Sequence, residues 1–226
     1  MPNFVHYLYF IPLTISAVIS FRAIKEQWPK PYRYFSGFLI ATLGNELLAV
    51  SWKFFLHHTR YWDYSKSNLW IYNIYLTPQY LFYFLFFAAA INSPFLKRLK
   101  IPVCLGYAIF GVVNLLAIQS FKELNSFTII AGNILVICCT IFYFVQELNQ
   151  SEPIAVQRYP LFWISLGGFV FNTVSLPYFI FINYLSRNNL SLAIALFNIL
   201  LTLNIIMYTC YLIAFLCKTP YLRKQP

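Results

Sequence analysis

The sequence predicts an all-α, polytopic integral membrane protein, a bundle of about seven transmembrane helices with its N-terminus outside and its C-terminus in the cytoplasm. Three observations predict it. Only 10% of the 226 residues are charged, against 60% hydrophobic, and the mean hydropathy is +0.65. A soluble domain needs roughly 25% charge to wet its surface. Seven apolar runs of helix length divide the chain, and basic residues fall unevenly between alternate connections. In lipid every backbone N–H and C=O needs an internal partner, which a helix supplies locally. Short alternating segments of the kind that build an outer-membrane barrel are not seen.

The runs are residues 4–24, 34–56, 69–91, 101–119, 127–147, 161–185 and 190–218. Each approaches the roughly 20 residues that cross about 30 Å of hydrocarbon. The first begins almost at Met1 with no basic residue before it, and Arg22, Lys25, Lys30 and Arg33 follow it. A cleaved signal peptide has the reverse charge order, so this run reads as a retained helix with an exported N-terminus. The third run is followed by Lys97, Arg98 and Lys100, the fifth by Arg158, the seventh by Lys218, Arg223 and Lys224. Those groups bring one side to eleven basic residues, against Arg60, Lys66, Lys122 and Arg187 opposite, with Lys53 near a helix end. The positive-inside rule makes the eleven-residue side cytoplasmic.

The net charge of +10 is spent on these short connections, which excludes nucleic-acid binding as its reason. The five cysteines (Cys104, Cys138, Cys139, Cys210, Cys217) lie in or at the ends of apolar runs and read as small buried side chains rather than a disulfide framework. Three histidines are too few for a metal centre; His6, His57 and His58 sit at outer ends, as interfacial residues or a pH-sensitive patch. Aromatic residues make up 21% of the chain. Trp28, Tyr32 and Tyr34 are expected at one headgroup level and Tyr61, Trp62, Tyr64 and Trp70 at the other, and the stretch 61–72 also suits the aromatic lip of an outer binding site.

Glu46 is the most informative residue, near the middle of the second run in Gly44-Asn45-Glu46-Leu47. A carboxylate at that depth must be paired, solvated by a cavity or protonated, and such groups are functional candidates for proton relay or cation coordination. The bland alternative is a neutral Glu bonded to an Asn of a neighbouring helix. Thr42 shares its helical face, and so does Lys53, about 10 Å along and free to snorkel. Asparagine recurs at depth: Asn45, Asn73, Asn114, Asn133, Asn172, Asn198 and Asn204. These point into the bundle, either as interhelical bonds or, with Glu46, Gln79 and Thr173, as a polar pocket. Pro12, Pro78 and Pro177 are expected to kink their helices, and Gly167-Gly168, ahead of Asn172 and Pro177, marks the sixth as the helix expected to bend. Pro78-Gln79 matches the dipeptide of PQ-loop transporters but has no second copy. Asn189-Leu-Ser191 is a glycosylation pattern too close to the bilayer to be used.

No zinc motif, phosphate loop or serine nucleophile motif occurs, so neither an enzyme nor a cofactor is expected. The seventh run has no buried lysine for retinal, and Asn204-Ile-Ile-Met-Tyr208 lacks the proline of the receptor Asn-Pro-x-x-Tyr motif. The Tyr/Phe-rich runs and the segment from Phe162-Trp-Ile-Ser-Leu-Gly-Gly to Ser175-Leu-Pro-Tyr178 resemble bacterial seven-helix membrane proteins similar to the membrane sensor modules associated with histidine kinases. The resemblance implies the architecture and a sensor role and assigns no residue. The expectation is a sensor or receptor-like module in a bacterial inner membrane, binding a small or lipophilic ligand and signalling to a cytoplasmic or membrane protein. The alternative is a small proton- or cation-linked transporter or channel using Glu46.

Overall fold

The computed structural model describes residues 7–56, 59–61, 67–91, 93–119, 123–149 and 155–217. They form α1 (Phe10–Lys25), α2 (Lys30–Phe55), α3 (Leu69–Ala90), α4 (Pro94–Val113, continued by a π turn Asn114–Ile118), α5 (Ser126–Leu148), α6 (Pro160–Asn188) and α7 (Leu190–Leu216). The chain is all-α among the described residues. The segments α2, α4 with its π turn, α5, α6 and α7 are long and apolar enough to cross a membrane, which makes this a helical membrane protein.

Packing closes a ring. Along the chain α1 lies on α2 and α2 on α3; α3 then contacts α5, α5 contacts α6, α6 contacts α7, and α7 returns to α1. α4 lies outside the ring against α3. It buries only Leu96, Tyr107 and Gly111, and presents Ile101, Leu105, Ile109 and Leu116 outward. α3 is the inner helix. Its buried side includes Asn73, Tyr80 and Tyr83, whose polar atoms find partners within the bundle.

Small residues let the helices approach, as they do where no hydrophobic force drives association. α1 turns Ser16, Ala17, Ser20 and Ala23 inward, and the Ser20 and Ser36 hydroxyls meet at 2.7 Å. Gly132 of α5 lies under the Tyr80 ring, where an added Cβ would come within 2.3 Å of the ring. Gly167 of α6 is pressed against Cys210 and the Met207 carbonyl of α7. The Gly167-Gly168 pair is therefore a packing surface, and α6 runs through it as continuous helix.

At the end of the bundle near residues 26–30, α1 stops in a Schellman cap. Trp28 N–H donates to the Ala23 carbonyl (2.9 Å) and Gln27 N–H to Ile24 (3.3 Å), with Gln27 left-handed at φ 52°. The cap drives Trp28 into the core, where it stacks on Phe215 at 5.9 Å. Trp28 and Tyr32 are 2% and 1% exposed, so both rings pack into the core at this end of the bundle rather than facing outward. Tyr34, on the opposite side of α2, is 65% exposed.

Two expectations are corrected. Pro12 falls in the first turn of α1, where no intrahelical N–H bond is lost and no kink follows. Pro78 and Pro177 do lie inside helices, as does Pro102 of α4, which the sequence reading passed over. α4 starts at Pro94, not near 101, so Lys97, Arg98 and Lys100 stand on its first turns. Proline at a helix start is pre-organised for it, and hydropathy locates the apolar part of a helix rather than its end.

Candidate functional site

Two regions separate along the bundle axis. Around the end of α1 and the start of α2, Phe35 is surrounded by Phe86 (4.8 Å between ring centroids), Tyr211 (5.1 Å), Phe38 (5.6 Å) and Phe82 (5.9 Å). Phe38 stacks on Phe82 at 4.3 Å and 5°. The Tyr83 and Tyr211 hydroxyls join α3 to α7 at 2.8 Å. These rings close that half of the bundle.

Toward the other end the helices part around a cavity of about 680 Å³. The turn before α1 brings Tyr9, α2 Glu46, α3 Tyr72, α6 Phe171 and Tyr178, and α7 Asn204. Lys53, Asn183 and Arg187 line it nearer the helix ends. Glu46 is nine residues before the end of α2, about 13 Å in, and Asn204 is fourteen residues from the start of α7, about 21 Å in.

The Glu46 carboxylate is held by two phenols. Tyr9 OH donates to Oε2 at 2.8 Å and Tyr72 OH donates to the same oxygen at 2.9 Å. Oε1 takes no hydrogen bond and no basic side chain pairs with Glu46, among the described residues. One turn below, Thr42 Oγ1 and Tyr75 OH meet at 2.7 Å and tie α2 to α3 beneath the carboxylate. An Asn partner for Glu46, the bland expectation, is not what the fold supplies. Tyrosine reaches farther than asparagine and leaves its ring on the cavity wall.

The rim is tied down by polar contacts. Arg187 of α6 forms an ion pair with Glu123 of the α4–α5 connection. Asn183 donates to the Leu124 carbonyl (3.2 Å) and Ser126 Oγ (3.1 Å). Asn73 of α3 donates to the Glu123 carbonyl at 2.8 Å, and its Oδ1 accepts from Asn125 N–H at 3.1 Å. Behind these, Asn114 opens the π turn and donates to Gln119 Oε1 (3.0 Å) and Thr128 Oγ1 (2.8 Å).

Of the residues singled out in the sequence, the cavity takes Glu46, Asn204 and Lys53. Asn204 also donates to the Leu200 carbonyl of its own helix. Asn133 accepts from Tyr80 OH (2.6 Å) and donates to Ser175 Oγ (3.5 Å), joining α3, α5 and α6 away from the cavity. Asn172 donates to Gly168 O within α6 at 2.6 Å. Asn45 and Gln79 are half-buried and outside the cavity wall. Thr173 and Asn198 are exposed on the outer surface of α6 and α7, so neither belongs to a pocket. Asn189 caps α7 by accepting from Leu192 N–H at 3.1 Å. Trp70 packs edge-on against Trp52 (5.3 Å) rather than forming a lip. His6, His57, His58, Trp62 and Tyr64 lie outside the described residues.

Sequence reasoning missed Tyr9, Tyr178, Asn183, Phe171 and Glu123, whereas Tyr72 ends the aromatic stretch 61–72 that suited a lip and does line the cavity. Tyr9 and Tyr72 stand 37 and 26 residues from Glu46, and nothing in a run of aromatic residues marks which hydroxyl faces a carboxylate. All five cysteines are free, and no group of His, Cys, Asp and Glu that could hold a metal ion occurs among the described residues. No family model matches the chain, and no similar curated protein or solved structure was found.

Proposed function

We propose that the chain crosses a bacterial inner membrane seven times, N-terminus outside, and acts as a sensor or receptor-like module. A small or lipophilic ligand enters the cavity beside Glu46, and the resulting helix shift is passed to a cytoplasmic or membrane partner. The observation that carries this reading is the pairing of a cavity with a packed aromatic region beneath it. A cavity of about 680 Å³ has the size of a small-molecule site. A channel needs a continuous path, whereas here Phe35, Phe38, Phe82 and Tyr211 fill the next layer.

Two helices fall short of the apolar length of the others, and both are consistent with spanning. α1 has 16 helical residues, preceded by the turn that carries Tyr9. α3 is 22 residues long, and its tyrosines and Asn73 face protein rather than lipid. Arg22, Lys25, Lys30, Arg33, Lys97, Arg98, Lys100 and Arg158 stand at the aromatic end, which the positive-inside rule makes cytoplasmic. The cavity then opens outward, where an external ligand arrives.

A second reading has one observation in its favour. Glu46 meets the cavity with an oxygen that carries no hydrogen bond among the described residues, as a proton- or cation-linked carrier would require. Proteoliposomes holding an internal pH dye separate the two. The receptor reading expects no proton flux above empty vesicles, with or without candidate substrates. Flux in the wild type that disappears in Glu46→Gln would replace it with the transporter.

A further inference from the structure

The charges of the cavity are arranged by depth, and the arrangement selects the ligand. Among the described residues four ionisable side chains other than tyrosine line it: Glu46, Lys53, Glu123 and Arg187. Arg187 and Glu123 pair with each other at the rim, so neither offers a free charge to a ligand. Lys53 is exposed, seven residues and about 10 Å nearer the end of α2 than Glu46, and its flexible stem lets the ammonium stay in water. Glu46 is the deeper acid and has no cation of its own among the described residues. Tyr9 and Tyr72 donate two hydrogen bonds to one oxygen, which orient the carboxyl group and bring no positive charge to it. The other oxygen is left for a ligand.

The walls beside it are Tyr9, Tyr72, Phe171, Tyr178 and Phe179, and aromatic faces attract a desolvated cation. A bare metal ion would leave most of about 680 Å³ empty and finds no cluster of ligands among the described residues. An anion would meet Lys53 at the rim and then the Glu46 charge below it. Building on the receptor reading, we propose that this cavity binds a small organic cation, an amine or quaternary ammonium on a lipophilic body. Its positive group rests on Glu46 Oε1 and its apolar part lies on the aromatic wall.

The test uses the whole chain in lipid nanodiscs, with thermal unfolding followed by intrinsic fluorescence. The probes are 2-phenylethylammonium and phenyltrimethylammonium, with 2-phenylethanol as neutral and phenylacetate as anionic counterpart. Both cations are expected to raise the unfolding temperature saturably, as ligands of the native state do, with no effect from the other two. Glu46→Gln is expected to weaken the cations by about 10- to 100-fold, the loss typical of a charge-assisted contact. Glu46→Asp, which keeps the charge, retains them within about tenfold. Gel filtration checks that both variants are folded.

Equal binding of the alcohol and the cations, in wild type and Glu46→Gln alike, would overturn the cation while leaving a receptor cavity. No saturable stabilisation by either cation up to millimolar concentration would overturn it as well. Uptake of labelled phenyltrimethylammonium into proteoliposomes would instead remove the receptor reading and keep the cation site.

Discussion

The half of the bundle around Glu46 and the half around Phe35 are built from the same residue types, yet one opens on a cavity while in the other the described rings lie against one another. Tyrosine shows the difference best. Around Phe35 the hydroxyls of Tyr83 and Tyr211 satisfy each other, so their rings fill space with no demand on solvent. Around Glu46 the hydroxyls of Tyr9 and Tyr72 converge on a carboxylate, which draws them to one side of the cavity. Aromatic density in a membrane bundle therefore does not decide whether a region is open. What differs between the two regions is the partner of the hydroxyl.

The largest effect expected from this contrast is in Phe35. Phe35→Ala removes a ring that is wholly buried among six other aromatic residues, and should cost about 3 kcal/mol of stability. Phe171→Ala, on the cavity wall, should cost well under that while changing ligand binding. Denaturation of the two variants side by side checks the contrast, and equal losses would mean that the two halves are packed alike.

Gly132→Ala comes next. Its Cβ would come within 2.3 Å of the Tyr80 ring, which is itself held by Asn133. A loss of about 2 kcal/mol is expected, read as a lower unfolding temperature with the cavity ligand affinity unchanged. A smaller gain is expected from Gln27→Gly. The left-handed Gln27 at the α1 cap costs about 1 kcal/mol relative to glycine, so the variant should unfold later, tightening the packed half further.

The smallest effect concerns pH. At the same cap, Arg22 Nε donates to Glu26 Oε1 (2.7 Å) and Trp28 Nε1 to Oε2 (3.1 Å). The Arg22 hydrogen bond first, and that of Trp28 second, hold the Glu26 carboxyl below its ordinary value. A lowered carboxyl stabilises the fold above the ordinary carboxylate range and loses that contribution as pH falls through its own lowered value. Arg22→Ala should move the Glu26 titration upward, as followed by carbon NMR of labelled glutamate, and soften the acid side of the stability profile slightly. An unmoved titration would remove the ion pair from the account of the cap.

The seven helices were legible because each is apolar for most of its length, and the structure finds a helix at every predicted run. Their ends were less so: hydropathy placed the start of α4 seven residues late, since Lys97, Arg98 and Lys100 read as a loop. Glu46 stood out because a lone acid in an apolar run is costly wherever it points. Its partners did not, because helices this apolar on every side carry no stripe that tells inward from outward. Asn198 and Thr173 were expected inside for the cost of a lipid-facing polar group, yet both are exposed. Thr202, exposed on the same helix as Asn198, shows one way to manage it, returning its hydroxyl to a carbonyl of its own helix (3.2 Å).

The central claim is an outward-opening cavity closed beneath by aromatic packing, and thiol labelling from either side of the membrane tests it most directly. On a background with all five native cysteines replaced, single cysteines at Val50 and Leu201 report the cavity and one at Phe86 reports the packed half. A membrane-impermeant thiol reagent is predicted to reach the first two from outside only, and Phe86→Cys from neither side. Labelling of the cavity positions from the cytoplasmic side, or of Phe86→Cys at a comparable rate, would contradict it.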